Sequence, residues 1–353
     1  MSNPCVLVTG ASGYLALHIV EALLSDGYNV LAAVRSPARE TDVRKVAESH
    51  SRSSLSFVYV PDIALDRAYD ELFKSHSEII AVIHSASPVS FSAKNPMKDV
   101  VDPAIKGTTN MLRAIKAYAP QVKKFVYTSS FATVRKRDTV YPKGKVINEK
   151  TWVDASLEDV HASGENAYRV SKVFAEKALW EFVEKEKPNF QATSIIPPII
   201  FGPSLGELNS PDALNLSSGV AYKILTGQLP QDYIIECVDV RDLARAHVVA
   251  IQTAASSGKR WLICAGVFVA QEFIEAVNKA GLNGFVVADP KVDVKKILSP
   301  MYYTDDSASR KEYGFSLRSL QTIAVDTGRD FIQKGFIGDS KANASPKKKD
   351  HHL

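Results

Sequence analysis

The chain contains few cysteines, with Cys5, Cys237 and Cys264 the only ones among 353 residues. None belongs to a C-x-x-C pair, and Cys5 and Cys264 lie in apolar runs. An odd number of cysteines without such spacing supports neither a disulfide framework nor a zinc site. We therefore expect reduced, buried thiols and a cytoplasmic location. The eight histidines also lack the spacing of metal ligands, so no metal is expected.

Long apolar segments are missing as well. No run approaches the roughly 18 apolar residues that indicate a membrane-spanning helix, so no membrane partner is expected. The first strand-like run begins at Cys5, which leaves no room for a charged region followed by an apolar one. No signal peptide is therefore expected.

The chain has little excess charge, because its formal net charge is only +4. The segment from Ser340 to Leu353 holds four lysines against Asp350, which accounts for +3 of that value. The body is close to neutral and offers no broad basic face, so nucleic acid is not an expected partner. We expect residues 339–353 to form a Lys-rich, disordered tail.

Short apolar runs alternate with longer amphipathic stretches over the first 200 residues. This alternation predicts repeated strand-helix-strand units. The runs are continuously hydrophobic, which favours an α/β fold whose doubly wound parallel sheet is covered by helices on both faces. Ligands of such sheets bind beyond the carboxyl ends of the strands. The predicted strands lie at 5–8, 30–34, 55–60, 79–84, 124–128 and 190–196, and the clearest helices at 14–25 and 100–118.

Proline and glycine become frequent after residue 196, which indicates that a smaller substrate-binding lobe begins there. A helix over 238–251, with Asp242 as its N-cap, and a strand-like run over 260–265 predict a return to the first domain. The predicted boundaries are therefore interleaved. The dinucleotide-binding domain takes 1–202 and 238–265, and the C-terminal lobe takes 203–237 and 266–338.

A glycine-rich turn follows the first predicted strand and precedes the first predicted helix. In the sequence Gly10-Ala-Ser-Gly13-Tyr-Leu-Ala16, Gly10 permits a tight turn, Gly13 lets a pyrophosphate approach the backbone, and Ala16 allows close helix packing. The helix N-terminus supplies an anion site. This context predicts a dinucleotide site. The residues expected to contact the dinucleotide here are Thr9, Gly10, Ser12, Gly13, Tyr14 and Leu15.

The end of the second predicted strand carries Arg35, where an NAD site usually has an acidic residue. Asp26 lies at the other end of that strand and is a poor ribose ligand. Arg35 can pair with a 2′-phosphate through charge-assisted hydrogen bonds, and Arg39 can add a second cation. We therefore expect NADPH as the cofactor. The alternative is that both arginines are solvated surface charges.

Tyr168 and Lys172 are four residues apart on a predicted helix and therefore share one face. A free tyrosine has a pKa near 10, and a close ammonium is expected to lower that pKa toward the working pH. Ser130 follows the fifth predicted strand. A Y-x-x-x-K pair alone is often a surface pair, but the glycine-rich turn upstream and Ser130 favour a catalytic role.

The order of glycine-rich turn, Ser130 and Tyr168-Arg-Val-Ser-Lys172 resembles the extended short-chain dehydrogenase/reductase superfamily, from about Val6 to Phe331. Within it, the chain is most similar to fungal NADPH-dependent methylglyoxal reductases and ketoreductases, relatives of dihydroflavonol 4-reductase. This resemblance implies a Rossmann fold and reduction of aldehydes or ketones. Tyr168 would donate the proton, Ser130 would hold the substrate oxygen, and Lys172 would also hold the nicotinamide ribose. The choice of Ser130 over Ser129 follows the family's placement of its serine.

The resemblance also extends the cofactor site. Asp62 would contact the adenine amino group, and Ser85, Ala86 and Ser87 would form a turn on the ribose side. The alternative is that Asp62 and this turn are helix caps or turn formers. Further expected cofactor contacts are Ile63, Tyr168, Lys172, Pro197, Ile199 and Ile200.

The resemblance implies a largely apolar substrate pocket, which favours small aliphatic or aromatic carbonyl compounds such as methylglyoxal. Arg135 and Glu165 stand where relatives tend to carry apolar residues, so a relative's preference does not transfer directly. Two other functions remain open: a sugar-nucleotide epimerase or hydroxysteroid dehydrogenase, and a non-catalytic NADP-sensing regulator. The oligomeric state is left open between monomer and homodimer. The expected pocket residues are Val89, Phe91, Phe131, Arg135, Glu165 and Ile199.

Overall fold

The computed structural model describes residues 3–48, 50, 54–136, 139, 141–299 and 301–337. The predicted Lys-rich tail at 339–353 lies outside the described residues. Among those that are described, no helix combines the length and the apolar character that crossing a membrane requires.

The strands and helices alternate along most of the chain. The strands are β1 (Cys5–Thr9), β2 (Asn29–Val34), β3 (Leu55–Tyr59), β4 (Ile79–His84), β5 (Lys124–Thr128), β6 (Val146–Ile147), β7 (Gln191–Ile196), β8 (Ile199–Phe201), β9 (Ile234–Asp239), β10 (Lys259–Leu262), β11 (Gly266–Val269) and β12 (Tyr303–Thr304). The helices are α1 (Tyr14–Ser25), α2 (Thr41–Ala47), α3 (Asp70–Ser75), α4 (Asp102–Tyr118), α5 (Gly164–Glu186), α6 (Leu216–Leu225), α7 (Val240–Gln252), α8 (Ala270–Lys279), α9 (Val294–Leu298), α10 (Ser307–Tyr313) and α11 (Leu320–Gln333).

A seven-stranded sheet forms the centre of the molecule, in the order β10-β7-β5-β4-β1-β2-β3. Every neighbouring pair in it is parallel. The inner strand β1 is buried along its whole length, and its residues 5–8 are all apolar. Strands that are buried on both faces are typical of parallel sheets.

Successive residues of β1 point to opposite faces of the sheet and join two different cores. Val6 and Val8 pack with residues of α1 and α7, whereas Leu7 packs with residues of α4 and α5. Helices therefore cover both faces. The predicted doubly wound parallel sheet is confirmed.

Helix α7 begins at Val240, and its cap is not the expected one. Asp239 is the N-cap, and its carboxylate accepts a hydrogen bond from the backbone amide of Arg241 at 2.9 Å. The prediction of Asp242 as the cap is wrong, because Asp242 lies inside the first turn and pairs with Arg318. Acidic residues are common both at the N-cap and in the first turn of a helix. Residue type alone therefore does not show which of Asp239 and Asp242 is the cap.

A second, three-stranded sheet has the order β11-β9-β8, and we call this sheet together with the helices packed on it the smaller lobe. The sheet packs with α6, α8 and α11 around buried side chains such as Phe201, Phe273 and Phe331. Helix α7 packs on α1, and β10 joins the large sheet through β7. The domain division stays a prediction. Its boundary after residue 202 follows β8, and its boundary at 237 falls inside β9.

Candidate active site

A cavity of about 730 Å³ opens at the carboxyl ends of β1 to β4. We call it the first cavity. Its lining includes these residues predicted to bind a cofactor: Thr9, Gly10, Ser12, Gly13, Tyr14, Leu15, Arg35, Arg39, Asp62, Ile63, Ser85, Ala86 and Ser87. It also includes residues that the sequence did not single out for this site, among them Tyr69, Pro88, Asp99, Pro103 and Thr128.

Gly10 brings the glycine-rich turn against the end of β4. Its φ of +65° lies in the left-handed region, and a Cβ atom there would lie 3.0 Å from the Cα of Ala86. The hydroxyl of Thr9 accepts a hydrogen bond from the amide of Ala86 at 3.1 Å and lies 2.9 Å from Nδ1 of His84. Only glycine fits this turn without displacing the neighbouring backbone.

Tyr14 lines the first cavity, but its hydroxyl is engaged elsewhere. That hydroxyl donates a hydrogen bond to the carbonyl of Gly202 at 2.9 Å, just after β8. One turn later, Nε2 of His18 lies 2.9 Å from the carbonyl oxygen of Pro203. These two contacts connect the helix of the glycine-rich turn to the segment that leads into the smaller lobe.

The two predicted phosphate-binding arginines both lie at the exposed rim of the first cavity. Arg35 directly follows β2, and Arg39 ends a single 3-10 turn over Pro37–Arg39. Asp26 precedes β2 and forms an ion pair with Arg245, at the other end of the strand. The positive charges at this rim therefore lie at the carboxyl end of β2. Doubly wound sheets bind the ribose of a dinucleotide at this end of the strand.

Asp62 and Tyr69 lie on the side of the first cavity that β3 and α3 form. The carboxylate of Asp62 accepts a hydrogen bond from the amide of Ala64 at 2.8 Å, so the predicted turn-forming role is present together with its place in the cavity lining. Tyr69 is fully buried, and its hydroxyl has no hydrogen-bond partner among the described residues. A buried hydroxyl of this kind is a group that a ligand can satisfy.

A second cavity of about 620 Å³ lies between α5, the turn after β5 and the smaller lobe. The predicted residues in its lining are Phe91, Ser130, Phe131, Arg135, Glu165, Tyr168 and Ile199. Val89, predicted as a wall, is 54% exposed and is not part of this lining. Ser130 is two residues beyond Thr128 of the first cavity, so the two cavities lie close to each other at the end of β5.

Lys172 is buried beside this end of β5. Its ammonium donates a hydrogen bond to the carbonyl oxygen of Thr128 at 3.1 Å and lies 5.7 Å from the ring centre of Tyr127. Burial lowers the pKa of Lys172 to about 8, against the opposing effect of the Glu176 carboxylate. The ammonium is therefore the main form of Lys172 at neutral pH, and its proton is held less tightly than that of a surface lysine.

Tyr168 is partly exposed to the second cavity. Burial raises the pKa of its phenol above the ordinary value, and a hydrogen bond with Ser130 opposes this shift. The expected lowering of the Tyr168 pKa by Lys172 is wrong for this arrangement, because desolvation dominates and the ammonium is engaged by Thr128. Tyr168 therefore keeps its proton at neutral pH.

Ser129 and Ser130 have different surroundings although they are adjacent. Ser129 is buried, and its hydroxyl donates to Oε2 of Glu176 at 2.5 Å. Ser130 lines the second cavity beside Tyr168, and its hydroxyl accepts a hydrogen bond from the amide of Ala132 at 3.2 Å. Ser130 is therefore the serine of this pair that is available to a bound molecule.

The residues expected after β7 are only partly brought to the site. Ile199 lines the second cavity. The carbonyl oxygen of Pro197 accepts a hydrogen bond from the amide of Phe131 at 2.8 Å, and the amide of Ile200 donates to Ser217 at 3.3 Å. Pro197 therefore supports the turn that carries Ser130.

The smaller lobe contributes cavity residues that sequence reasoning missed, in particular Leu216, Val220, Tyr233 and Glu236. Glu236 is buried on β9 and forms an ion pair with Arg135, with a separation of 3.4 Å between Oε1 and Nε. Leu216 and Val220 lie on α6, Tyr233 lies just before β9, and Glu236 lies on β9; these segments carry no recognisable motif. Within the described part of the chain, no group of three or more His, Cys, Asp or Glu side chains is arranged to hold a metal.

The chain is similar to known reductases over most of its length. It is 36% identical over 340 residues to ketoreductase azaE of Aspergillus niger, which covers 93% of this chain and 98% of that protein. It is 32% identical over 342 residues to the NADPH-dependent methylglyoxal reductase GRE2 of Saccharomyces cerevisiae, with 93% and 98% covered. The crystal structure of yeast methylglyoxal/isovaleraldehyde reductase Gre2 complexed with NADPH matches with a TM-score of 0.86 at 31% identity, covering 94% of this chain and 100% of that one.

Residues 6–264 match the model of a family described as the NAD dependent epimerase/dehydratase family. Together with the reductase relatives, this match confirms the resemblance to extended short-chain dehydrogenases/reductases that the sequence motifs indicated. The match includes the glycine-rich turn, Ser130, Tyr168 and Lys172. The chain belongs to the NAD dependent epimerase/dehydratase family.

Proposed function

We propose that this protein reduces aldehydes and ketones to alcohols with NADPH, and that Tyr168 donates the proton. The observation that carries the proposal is that the two cavities lie close together at the end of β5. There, the buried Ser130 and the partly exposed Tyr168 line one cavity, and the buried Lys172 donates to the carbonyl oxygen of Thr128, which lines the other. A proton donor, an oxygen ligand and a cation thus converge where a cofactor and a carbonyl compound can meet.

The first cavity fits a dinucleotide with a 2′-phosphate. Its volume lies within the roughly 300–1,000 Å³ of small-molecule sites. A Cβ atom at Gly10 would fill the space beside Ala86 in the glycine-rich turn. The buried hydroxyl of Tyr69 lacks a hydrogen-bond partner among the described residues. Arg35 and Arg39 would hold the 2′-phosphate. When bound, NADPH supplies the hydride that the carbonyl carbon accepts.

Tyr168 supplies the proton that the carbonyl oxygen needs as negative charge develops on it. Its raised pKa keeps the phenol protonated at neutral pH, which is the form required for reduction. Ser130 donates a hydrogen bond to the same oxygen. A pre-placed donor of this kind stabilises the transition state by about 3 kcal/mol where water is excluded.

Lys172 acts on the phenolate that remains after proton transfer. Its ammonium is fixed by Thr128, and its charge offsets only part of the burial effect that disfavours the phenolate form of Tyr168, whose pKa stays above the ordinary value. The same ammonium would hold the nicotinamide ribose. Before the proton transfer, the high pKa of Tyr168 keeps the phenol protonated. After the transfer, the charge of Lys172 lies near the phenolate that remains.

The second cavity suits small carbonyl compounds of the kind named for the yeast relatives, such as methylglyoxal. Phe91, Phe131 and Ile199 provide apolar walls. Arg135 and Glu236 add a charge pair on one side, which a simple aldehyde does not need. The substrate preference of this chain is therefore expected to differ from that of relatives with an apolar wall.

The direct test is consumption of NADPH by the purified protein with methylglyoxal, branched aldehydes, diketones and aryl ketones. We expect turnover with members of this panel. Tyr168→Phe should lower kcat by about 100- to 10,000-fold and leave NADPH binding intact, because only the donated proton is removed.

Tyr222→Phe on α6 is the matched control and should keep wild-type activity. Binding of NADPH without turnover of any carbonyl compound would favour a sensing role. Tightly retained NAD with activity on sugar nucleotides would favour an epimerase. A Tyr168→Phe protein that turns over at the wild-type rate would remove the proposed proton donor.

A further inference from the structure

A buried ion pair lies directly behind the reacting residues. Glu176 follows Lys172 by one turn on α5, and Arg260 lies on β10, at the edge of the large sheet. Nε of Arg260 is 2.8 Å from Oε1 of Glu176, and the two side chains are 9% and 0% exposed. The pair therefore joins the helix of Tyr168 and Lys172 to the edge strand of the sheet.

The polar atoms of this pair also form hydrogen bonds with several other residues. Glu176 also accepts hydrogen bonds from Ser129 at 2.5 Å and from the indole of Trp180 at 3.3 Å. The guanidinium of Arg260 donates to the carbonyl oxygens of Glu149 and Thr151 at 2.8 and 2.7 Å. Its carbon also lies 3.7 Å from the ring centre of Trp152.

Both partners reach the short turn that carries Ser130, from opposite sides. Glu176 holds Ser129, the residue before it. Arg260 donates to the hydroxyl of Thr133 at 2.8 Å, and that hydroxyl donates to the carbonyl oxygen of Ser130 at 2.9 Å. The backbone on each side of Ser130 is therefore fixed by a buried charge.

Stability alone does not explain such an arrangement. Desolvation of two charges offsets much of their attraction, so apolar residues of similar volume often stabilise a fold equally well. The fixed directions of a guanidinium and a carboxylate, in contrast, set the relative positions of the groups that they contact. Here, those groups are α5 and the Ser130 turn.

We propose that the Glu176–Arg260 pair is a positioning device for the reaction, which holds the Ser130 turn against α5 so that Ser130 and Tyr168 converge on the same oxygen. The proposal rests on the proposed function, because it assumes that these two residues share a substrate. Glu176 also acts electrostatically on Lys172, four residues before it.

Several groups face Lys172. Tyr127 on β5 and Tyr168 on α5 are uncharged at neutral pH, since burial raises the pKa of both phenols. Burial lowers the pKa of His84 on β4 to about 3, so His84 is neutral as well. Glu176 is the carboxylate that raises the pKa of Lys172. Removal of its charge should therefore lower that pKa and make Lys172 lose its proton at lower pH.

The test compares Glu176→Gln with Arg260→Lys, by kcat, KM, NADPH binding, thermal unfolding and the pH profile of kcat/KM. Both variants should lower kcat by about 10- to 100-fold with little change in NADPH binding, since misplacement of the reacting groups by about 1 Å has such effects. In Glu176→Gln, the decline of activity at high pH should also move to lower pH. In Arg260→Lys, which keeps both charges, the decline should stay in place.

Arg318→Lys is the matched control, because it alters an ion pair with Asp242 on α7 away from the two cavities. It should keep the wild-type kcat and pH profile. If Glu176→Gln or Arg260→Lys does not fold, Ser129→Ala and Thr133→Val each remove one link, and a lowered kcat in both supports the proposal.

Folded Glu176→Gln with wild-type kcat and pH profile would overturn the inference, as would wild-type kcat in both Ser129→Ala and Thr133→Val. These results leave the proposed function intact. A wild-type protein that reduces no carbonyl compound would instead refute the proposed function, together with the inference that rests on it.

Discussion

Arg35 is the residue that we propose to decide between the two nicotinamide cofactors. It follows β2 and lies at the rim of the first cavity, where Arg39 lies nearby. Arg35→Asp should shift the ratio of kcat/KM values for NADPH and NADH by about 10- to 100-fold toward NADH, because it removes a charge-assisted pair and adds a repulsive charge. Steady-state kinetics with both cofactors measures this ratio.

Arg44→Asp is the control for a general electrostatic effect. Arg44 is 60% exposed on α2, pairs with Glu40 and does not line the first cavity. The same charge change there should leave the cofactor ratio near the wild-type value. Equal shifts in the two variants would mean that Arg35 acts only through its long-range field.

At this scale, the sequence predicted which residue types meet but not their electrostatic environment. The spacing of Tyr168 and Lys172 was enough to predict a shared helix face. The direction of the Tyr168 pKa was not predictable, because it depends on how much of the phenol is buried and on where the Lys172 ammonium points. Both are properties of tertiary packing.

The first turn of α5 makes an unusually close contact with the segment after β4. A Cβ atom at Gly164 would lie 2.0 Å from the carbonyl oxygen of Phe91. The ring of Phe91 in turn lies 5.5 Å from the ring of Tyr168, centre to centre. The absence of a side chain at Gly164 therefore allows this segment to bring Phe91 against the proposed proton donor.

Gly164→Ala should displace the Phe91 backbone and lower kcat/KM for a carbonyl substrate by about 10- to 100-fold, because small shifts near reacting groups have large effects. NADPH binding should change little, since Gly164 does not line the first cavity. Carbonyl-reduction kinetics and NADPH titration separate the two effects.

Gly219→Ala on α6 is the matched control, because a Cβ atom there meets no atom within 4 Å. It should keep activity and stabilise the fold by about 0.5–1 kcal/mol, the usual gain when alanine replaces glycine in a helix. Full activity in Gly164→Ala would show that the Phe91 contact does not matter for the reaction.

Elements with strong periodic signals were predicted well, and short ones were not. The continuous apolar runs located β1, β4 and β5 within a residue or two, and α1 begins and ends where predicted. The three-residue strand β8 was missed because it is too short to show a period. Its pairing with β9 depends on contacts between distant segments.

Three buried histidines connect the fold of the whole molecule to pH. Burial lowers the pKa of His18 on α1 and of His247 on α7 to about 4, and that of His84 on β4 to about 3. Each is neutral in the folded protein, whereas in the unfolded chain it binds a proton near its ordinary pKa of about 6.5. Their contribution to stability is therefore present above pH 6.5 and is lost as the pH falls toward 4.

We expect the free energy of unfolding to decrease by about 2 kcal/mol per buried histidine between pH 7 and pH 5. Urea unfolding at a series of pH values measures this decrease. His18→Gln should reduce the pH dependence by about one third, since it removes one of three such groups. A free energy of unfolding that is constant between pH 7 and pH 5 would contradict the assignment.

At the scale of the whole molecule, the lining of the first cavity was more predictable than that of the second. The glycine-rich turn and Arg35 belong to consecutive local units whose strand ends must meet in a parallel sheet. Tyr233 and Glu236, in contrast, reach the second cavity through a separate sheet whose position no local pattern indicates.

The two cavities have separate linings: among the described residues, none belongs to both. Mutations can therefore accumulate in the wall of the second cavity that α6 and β9 form, while the glycine-rich turn of the first cavity stays unchanged. A protein with two separate cavities can acquire a new substrate preference through mutations in the second cavity alone. Protein engineers can likewise vary the residues of the second cavity without having to restore NADPH affinity.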